Sequence, residues 1–198
     1  MHADPTAAPS RTQAGRAHRI AVVTATGQRL HTGLEHVRAF PADEGTIELI
    51  VRRPAVGERE VLEEAELDVE QGLVGDSWSR RGKRPNPKSQ LTLQNARTAA
   101  LIAGERENWA PSGDQLYVDF DLSGENLPPG TRLALGSAVV EVSDMPHLGC
   151  HKFTDRYGQE ARDFVNSPEG VALNLRGLNT RIVRSGAVRR GDAIRKLS

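Results

Sequence analysis

Thr131-Arg132-Leu133-Ala134-Leu135-Gly136-Ser137-Ala138-Val139-Val140-Glu141-Val142 reads as two short strands joined by a Gly-Ser turn, a hairpin. The same rhythm extends outward in both directions. Downstream, Thr180 to Arg184, Ala187 to Arg189 and Ala193 to Leu197 are separated by Ser185-Gly186 and Gly191-Asp192 and form a meander of small strands. Upstream, strand patterns occupy Leu116 to Leu122, Gln90 to Gln94, Glu66 to Glu70, Thr46 to Arg53 and Arg19 to Thr24. Gln90-Leu91-Thr92-Leu93-Gln94 alternates cleanly, which predicts one buried and one wet face. Two helices are predicted. Asn95 caps Ala96 to Ala103, which Gly104 ends. Gln159 to Val165 places Ala161, Phe164 and Val165 at helical spacing, with Pro168 just beyond. Many short strands with few helices imply a mostly β (α+β) fold whose core closes on itself. Regular β-α-β alternation is absent, so a doubly wound sheet is rejected.

The chain has 198 residues, enough for one domain with a core that needs no disulfide staples. Residues 1–18 are rich in Ala, Pro, Thr and Ser without a continuous apolar centre, and are expected to be a disordered leader ahead of a single domain over 19–198. Lys plus Arg equals Asp plus Glu at 26 each, so bulk attraction to nucleic acid or to an anionic membrane is not indicated. Aromatics make up only 4%, which argues against a base-stacking surface. No apolar run approaches the roughly 20 residues that span a bilayer. A single cysteine cannot form an internal disulfide, and a reducing cytoplasm is the expected compartment.

Four segments can carry chemistry. Gly72-Leu73-Val74-Gly75-Asp76 describes a turn with close backbone approach. Arg80-Arg81-Gly82-Lys83-Arg84-Pro85-Asn86-Pro87-Lys88 is a basic loop that either clamps a phosphate or is simply solvated. Met145-Pro146-His147-Leu148-Gly149-Cys150-His151-Lys152 places the sole cysteine among cationic neighbours, which favour the thiolate. The set His147, Cys150 and His151 does not match a structural zinc site. A soft ligand on a loop suits a soft or high-valent metal, or sulfur transfer. Asn174-Leu175-Arg176-Gly177-Leu178-Asn179 offers either a guanidinium beside an open glycine N–H or a structural turn.

In order and spacing these pieces resemble the MOSC domain, the family named for the C-terminal domain of molybdenum cofactor sulfurase. The resemblance spans about residues 45–198 and rests on Arg53-Pro54, on Gly72 to Asp76, and on the hairpin from Leu127 to Val142. It continues through Cys150 and Gly177 to Arg181-Ile182-Val183 and the closing Gly186 to Asp192. Three places depart from the family pattern. Ser77-Trp78 stands where Arg-His or Lys-His is usual, and Gly149 where proline usually precedes the cysteine. The family's Gly-Glu-Asn-Leu has two counterparts, Gly113-Asp114-Gln115-Leu116 and a literal Gly124-Glu125-Asn126-Leu127.

The resemblance implies a β-barrel core with a few peripheral short helices and binding of molybdenum cofactor (molybdopterin), with Cys150 as metal ligand and catalytic residue. Arg80, Arg81, Lys83, Arg84 and Arg176 are the phosphate-clamp candidates, with Asp76, His147, Lys152 and Gly177 also at the cofactor. The implied activity is a molybdenum-cofactor-dependent oxidoreductase acting on N-hydroxylated compounds. Such an enzyme would be a monomer or homodimer taking a small-molecule substrate and electrons from a separate redox partner. Pyridoxal phosphate is not expected within this chain. Two other readings stay open: a persulfide sulfur carrier or cofactor carrier served by a cysteine desulfurase, and a non-catalytic module that keeps the fold.

Overall fold

The computed structural model describes residues 27–80, 82 and 85–197. The expected leader, the expected strand Arg19 to Thr24, and Arg81, Lys83 and Arg84 lie outside the described residues. The elements run α1 (Gly27–Arg38), β1 (Glu44–Arg52), β2 (Glu60–Leu62), β3 (Glu64–Asp68), β4 (Gly72–Leu73), β5 (Leu91–Asn95), α2 (Ala96–Ala103) and β6 (Leu116–Asp119). They continue with β7 (Arg132–Leu135), β8 (Ala138–Val142), α3 (His151–Tyr157), α4 (Gln159–Asn166), α5 (Pro168–Ala172), β9 (Leu178–Arg184), β10 (Gly186–Arg189) and β11 (Ala193–Leu197).

Seven strands close a barrel in the order β11-β7-β8-β9-β5-β6-β1, and β1 pairs back onto β11. Strand β2 extends β1, while β10, β3 and β4 form a separate small sheet. The fold is α+β and mostly β. The Gly136-Ser137 hairpin forms as the sequence dictates, with Leu135 opposite Ala138 across the two-residue turn. One β-α-β unit does exist: β5 and β6 pair in parallel across α2.

Inside the barrel, Ile47, Ile50, Leu91, Leu93, Leu116, Val118, Leu133, Val140 and Ile194 belong to one buried cluster. A second cluster outside the wall joins Leu49, Val51 and Tyr117 to Leu30, Leu34, Ile102, Phe153, Phe164 and Leu175 of the helical layer. Strand β1 serves both clusters because its register shifts between Ile47 and Leu49, so that Ile47 and Ile50 both face inward. The helix of Asn95 forms as predicted: the Asn95 side chain accepts from the Thr98 N–H at 2.9 Å, and Gly104 stops the helix at φ 72°.

Several expectations need correction. The described residues contain five α-helices, not two; α1, α3 and α5 are additional. Strand β6 ends at Asp119, although Phe120 and Leu122 still fill the barrel core from the turn that follows. Strand β5 has no wet face, since all five of its residues are buried. Thr92 gives both its N–H and its hydroxyl to the Gln115 side-chain oxygen, and Gln94 donates to the Leu175 carbonyl. The polar side of the alternation is satisfied by other buried groups rather than by water.

Candidate functional site

Ser112, Gly113 and Asp114 form a turn at the entry to β6, and three arginines converge on it. Asp114 is fully buried. Its Oδ2 accepts from Arg176 Nη1 at 2.6 Å and from the Ser112 hydroxyl at 2.7 Å. Arg176 also donates to Gln94 Oε1 at 3.1 Å and to the Ser112 carbonyl at 3.2 Å, and its guanidinium lies 4.9 Å from the Phe153 ring centre. Arg53 reaches the Gly113 carbonyl at 2.7 Å. The rest of its guanidinium grips Asp76 through Nε at 2.8 Å and Nη2 at 3.0 Å. Arg59 lies against Gly113, its Nη2 being 3.4 Å from where a Cβ on that glycine would sit. Burial alone would push both carboxyls up. The Arg176 charge at Asp114, and the Arg53 pair with the Trp78 N–H at Asp76, outweigh it and hold both below the usual carboxylate range.

The cysteine loop runs from β8 to α3 beside this hub. Asn179 fastens its start by donating to the carbonyls of Met145 and Pro146. Asn166 fastens its end, accepting from the Gly149 N–H at 2.8 Å and donating to the Gly149 carbonyl at 2.9 Å. This explains glycine at 149. Proline has no N–H to give, and even a methyl group there would meet Val165 Cγ2 at 3.0 Å.

Cys150 is exposed at the N-cap position of α3, where its backbone carbonyl, not its thiol, accepts from the Phe153 and Thr154 N–H groups. Burial pushes its thiol up, but the backbone N–H groups of Phe153 and Lys152 and the charge of Arg176 outweigh this and bring it below the ordinary thiol range. The cationic side chains next to it in sequence are therefore not what activates it. His147 in particular is neutral at physiological pH: burial first, then Arg176, lower it to about 4 against the opposing pull of Asp114. Alkylation of Cys150 by iodoacetamide should rise with pH well before that of an unstructured peptide spanning residues 145–152. Coincident profiles for protein and peptide would contradict this account of the thiol.

The remaining expected residues are placed as follows. Arg80 is exposed and donates to the Pro54 carbonyl. Its loop returns to the cysteine segment through an ion pair between Lys88 and Asp144 at 2.8 Å. Trp78, buried where the resemblance leads one to expect histidine, anchors that loop by donating from its indole to the Asn86 carbonyl. Asp76 braces Arg53 and the strand end rather than lining a cleft. The Gly177 N–H is not open: it donates to the Asn174 carbonyl at 2.7 Å. At φ 93° a Cβ on Gly177 would lie 2.2 Å from the Leu93 oxygen, so glycine there serves the turn that delivers Arg176. Lys152 is exposed on the first turn of α3.

Of the two Gly-Glu-Asn-Leu counterparts, Gly113 to Leu116 is the one at the hub. Asn126 of the other copy is tied to Asp121, Ala42 and Lys196 instead. Arg53 and Asp114 entered the sequence reading only as motif positions, in Arg53-Pro54 and Gly113-Asp114-Gln115-Leu116, and not as site residues, and Arg59 did not enter it.

Five buried side-chain polar atoms lack a hydrogen-bond partner among the described residues, and four of them belong to this hub: Arg59 Nε, Asp114 Oδ1, His147 Nδ1 and Arg176 Nε. Asp114 Oδ1 faces His147 Nε2 at 3.6 Å, too far for a hydrogen bond. Native interiors rarely leave such atoms unpaired, and here they are concentrated in one place. No three His, Cys, Asp or Glu side chains among the described residues gather as a metal site. No helix among the described residues is long and apolar enough to cross a membrane.

No family model matches the chain, and no curated protein matches it. Solved structures do share its fold. A hypothetical protein of known structure is 19% identical with a TM-score of 0.57, over 82% of this chain and 71% of that one. YuaD from Bacillus subtilis is 19% identical with a TM-score of 0.53, over 76% of this chain and 94% of that one. YiiM from Escherichia coli is 19% identical with a TM-score of 0.52, over 77% and 70% respectively.

Proposed function

We propose that this chain is a MOSC-type domain that binds molybdenum cofactor with Cys150 as the metal ligand, and that it works as the catalytic component of a reductase for N-hydroxylated compounds. The fold shared with YuaD and YiiM, both MOSC-fold proteins, supports the domain type. The observation that carries the rest is the pairing of an exposed, thiolate-prone Cys150 with a hub holding four unpartnered buried polar atoms.

The residues present fit the group. Cys150 offers a soft anionic ligand. Arg176, fixed by Asp114, Gln94 and Ser112, would place a positive charge close to the bound pterin. Bound, the cofactor supplies two-electron redox chemistry at molybdenum. The chain's own part is to hold the ligand thiol deprotonated, to fix Arg176 through Asp114, and to present a neutral His147 beside them. The electrons come from a separate redox partner in the cytoplasm.

The test is reduction of an N-hydroxylated amidine or purine by cofactor-loaded protein with a chemical electron donor. Wild type should turn over, and Cys150→Ser should lose at least about a hundredfold, the scale on which loss of a direct catalytic interaction is felt. Equal rates for the two proteins would remove Cys150 from the chemistry.

A further inference from the structure

A cleft of about 410 Å³ opens at the other end of β6 from the Cys150 hub. The hub sits at the entry to that strand, whereas the cleft takes in Asp121 and Glu125 just past its exit at Asp119. Its volume falls in the range of small-molecule sites, which combine an apolar wall with a few polar groups. Val37 at the end of α1, Phe40 just after it and Leu173 just past α5 supply the apolar wall. Phe40 and Leu173 are only half-buried, so part of their surface remains for a ligand to cover.

Cross-links hold the walls in place. The Asp121 N–H donates to the Pro41 carbonyl at 2.9 Å, and the Gly124 N–H to the Ala172 carbonyl at 2.9 Å. The Asn174 side chain donates to the Leu122 carbonyl at 2.8 Å. An ion pair between Arg38 and Glu169 ties α1 to α5. The cleft is formed before anything enters it, which spares a ligand the cost of ordering its site.

Charge fixes the kind of ligand. Arg38, the one cation among the described lining residues, is taken up by Glu169. Asp121 accepts from the Ser123 N–H at 2.8 Å, and neither it nor Glu125 has a cationic partner among the described residues. The cleft of about 490 Å³ beside Lys88 is different: there Asp144 pairs with Lys88 and Glu141 with Arg181. Two uncompensated carboxylates beside an apolar wall are complementary to a cation carried on an apolar body. We propose that the cleft past β6 is a second ligand site, for small primary ammonium compounds with an aromatic or alkyl body. The ammonium pairs with Asp121 and Glu125, and the body lies along Val37, Phe40 and Leu173. The site is independent of Cys150 and of any cofactor.

The experiment is calorimetric titration of the full cofactor-free chain with 2-phenylethylammonium, and with 2-phenylethanol as its neutral counterpart. It is repeated for Glu125→Gln, Asp121→Asn, the double variant and a control, Glu66→Gln, which alters an exposed carboxylate on β3. Asparagine at 121 keeps an oxygen to accept from Ser123, and circular dichroism checks that each variant is folded. Wild type and control should bind the ammonium alike, and at least about threefold more tightly than the alcohol. Each single variant should lose about threefold and the double variant about tenfold; threefold is about 0.7 kcal/mol, the scale of a partly exposed ion pair.

No ammonium binding by wild type, equal affinity for ammonium and alcohol, or unchanged affinity in the double variant overturns the site. A second arm titrates Cys150→Ser. Binding equal to wild type supports a site apart from the hub. Loss of binding there would place the ligand at Cys150 and overturn the assignment to this cleft.

Discussion

Asp76→Ala should cost about 3–5 kcal/mol of unfolding free energy, the largest single-residue loss expected in this chain. The side chains of Arg53 and Asp76 are only 8% and 0% exposed, and their guanidinium–carboxylate pairing is bidentate. Asp76 also accepts from the backbone N–H groups of Arg53 and Trp78, so one carboxylate ties β1 to the turn after β4. Removing it strands a buried cation and two donors. Replacing both partners, as in Arg53→Met with Asp76→Leu, should recover much of the loss, because no charge is then left unpaired. Urea unfolding of the single and double variants is the measurement. A single-variant loss below about 1 kcal/mol, the range of a surface pair, would contradict a desolvated hub. The pH sign is fixed as well. Asp76 is held below its unfolded value, so its contribution is present above about pH 4 and is lost as the pH falls through the folded value.

His147 should dominate the milder acid range. Its imidazole, 17% exposed, titrates near 4 in the folded chain against about 6.5 when unfolded. In that interval the unfolded chain binds the proton and the folded one does not. Stability is therefore fully present above about pH 6.5 and drains away as the pH falls toward 4, by about 3 kcal/mol in all. His147→Gln removes the titration while keeping a polar side chain. Its urea midpoint should change much less than that of wild type between these two pH values. Parallel slopes for the two proteins would show that His147 is protonated in the native state. The two hub carboxylates, both held low, lose their contributions only in stronger acid, so the two effects separate on the pH axis.

What was legible in the sequence is what is encoded locally. The Gly136-Ser137 hairpin and the Asn95 cap and Gly104 stop of α2 depend on residues a few positions apart, and each formed as read. The three closing strands form too, but not as a meander: β10 pairs with β3, and β11 with β7 and β1, partners far off in the chain. Helix α1 carries Leu30, Leu34 and Val37 at helical spacing, but glycine, threonine and two histidines among them diluted the signal. Helix α3 is one short segment with only Phe153 and Tyr157 buried, too little for periodicity to register. The polar face of β5 was read as wet because alternation reports polarity, not what lies across it; Gln115 and the Leu175 carbonyl lie across it.

The site was half legible for the same reason. Cys150 stood out as the lone thiol on a loop leaving a strand. Arg176 was expected at a phosphate, and the lowering of the thiol was credited to its cationic sequence neighbours, because Arg176 reaches the hub from beyond three helices in the chain. The pairs Arg53 with Asp76 and Asp114 with Arg176 join segments that no local pattern links.

The most direct test of the central claim is molybdenum bound per chain after expression in a cell that makes the cofactor, with wild type compared to Cys150→Ser. The account predicts near-stoichiometric metal in wild type and its loss in the variant, with both proteins equally folded. No metal in either protein, or equal metal in both, would contradict Cys150 as the ligand that holds it.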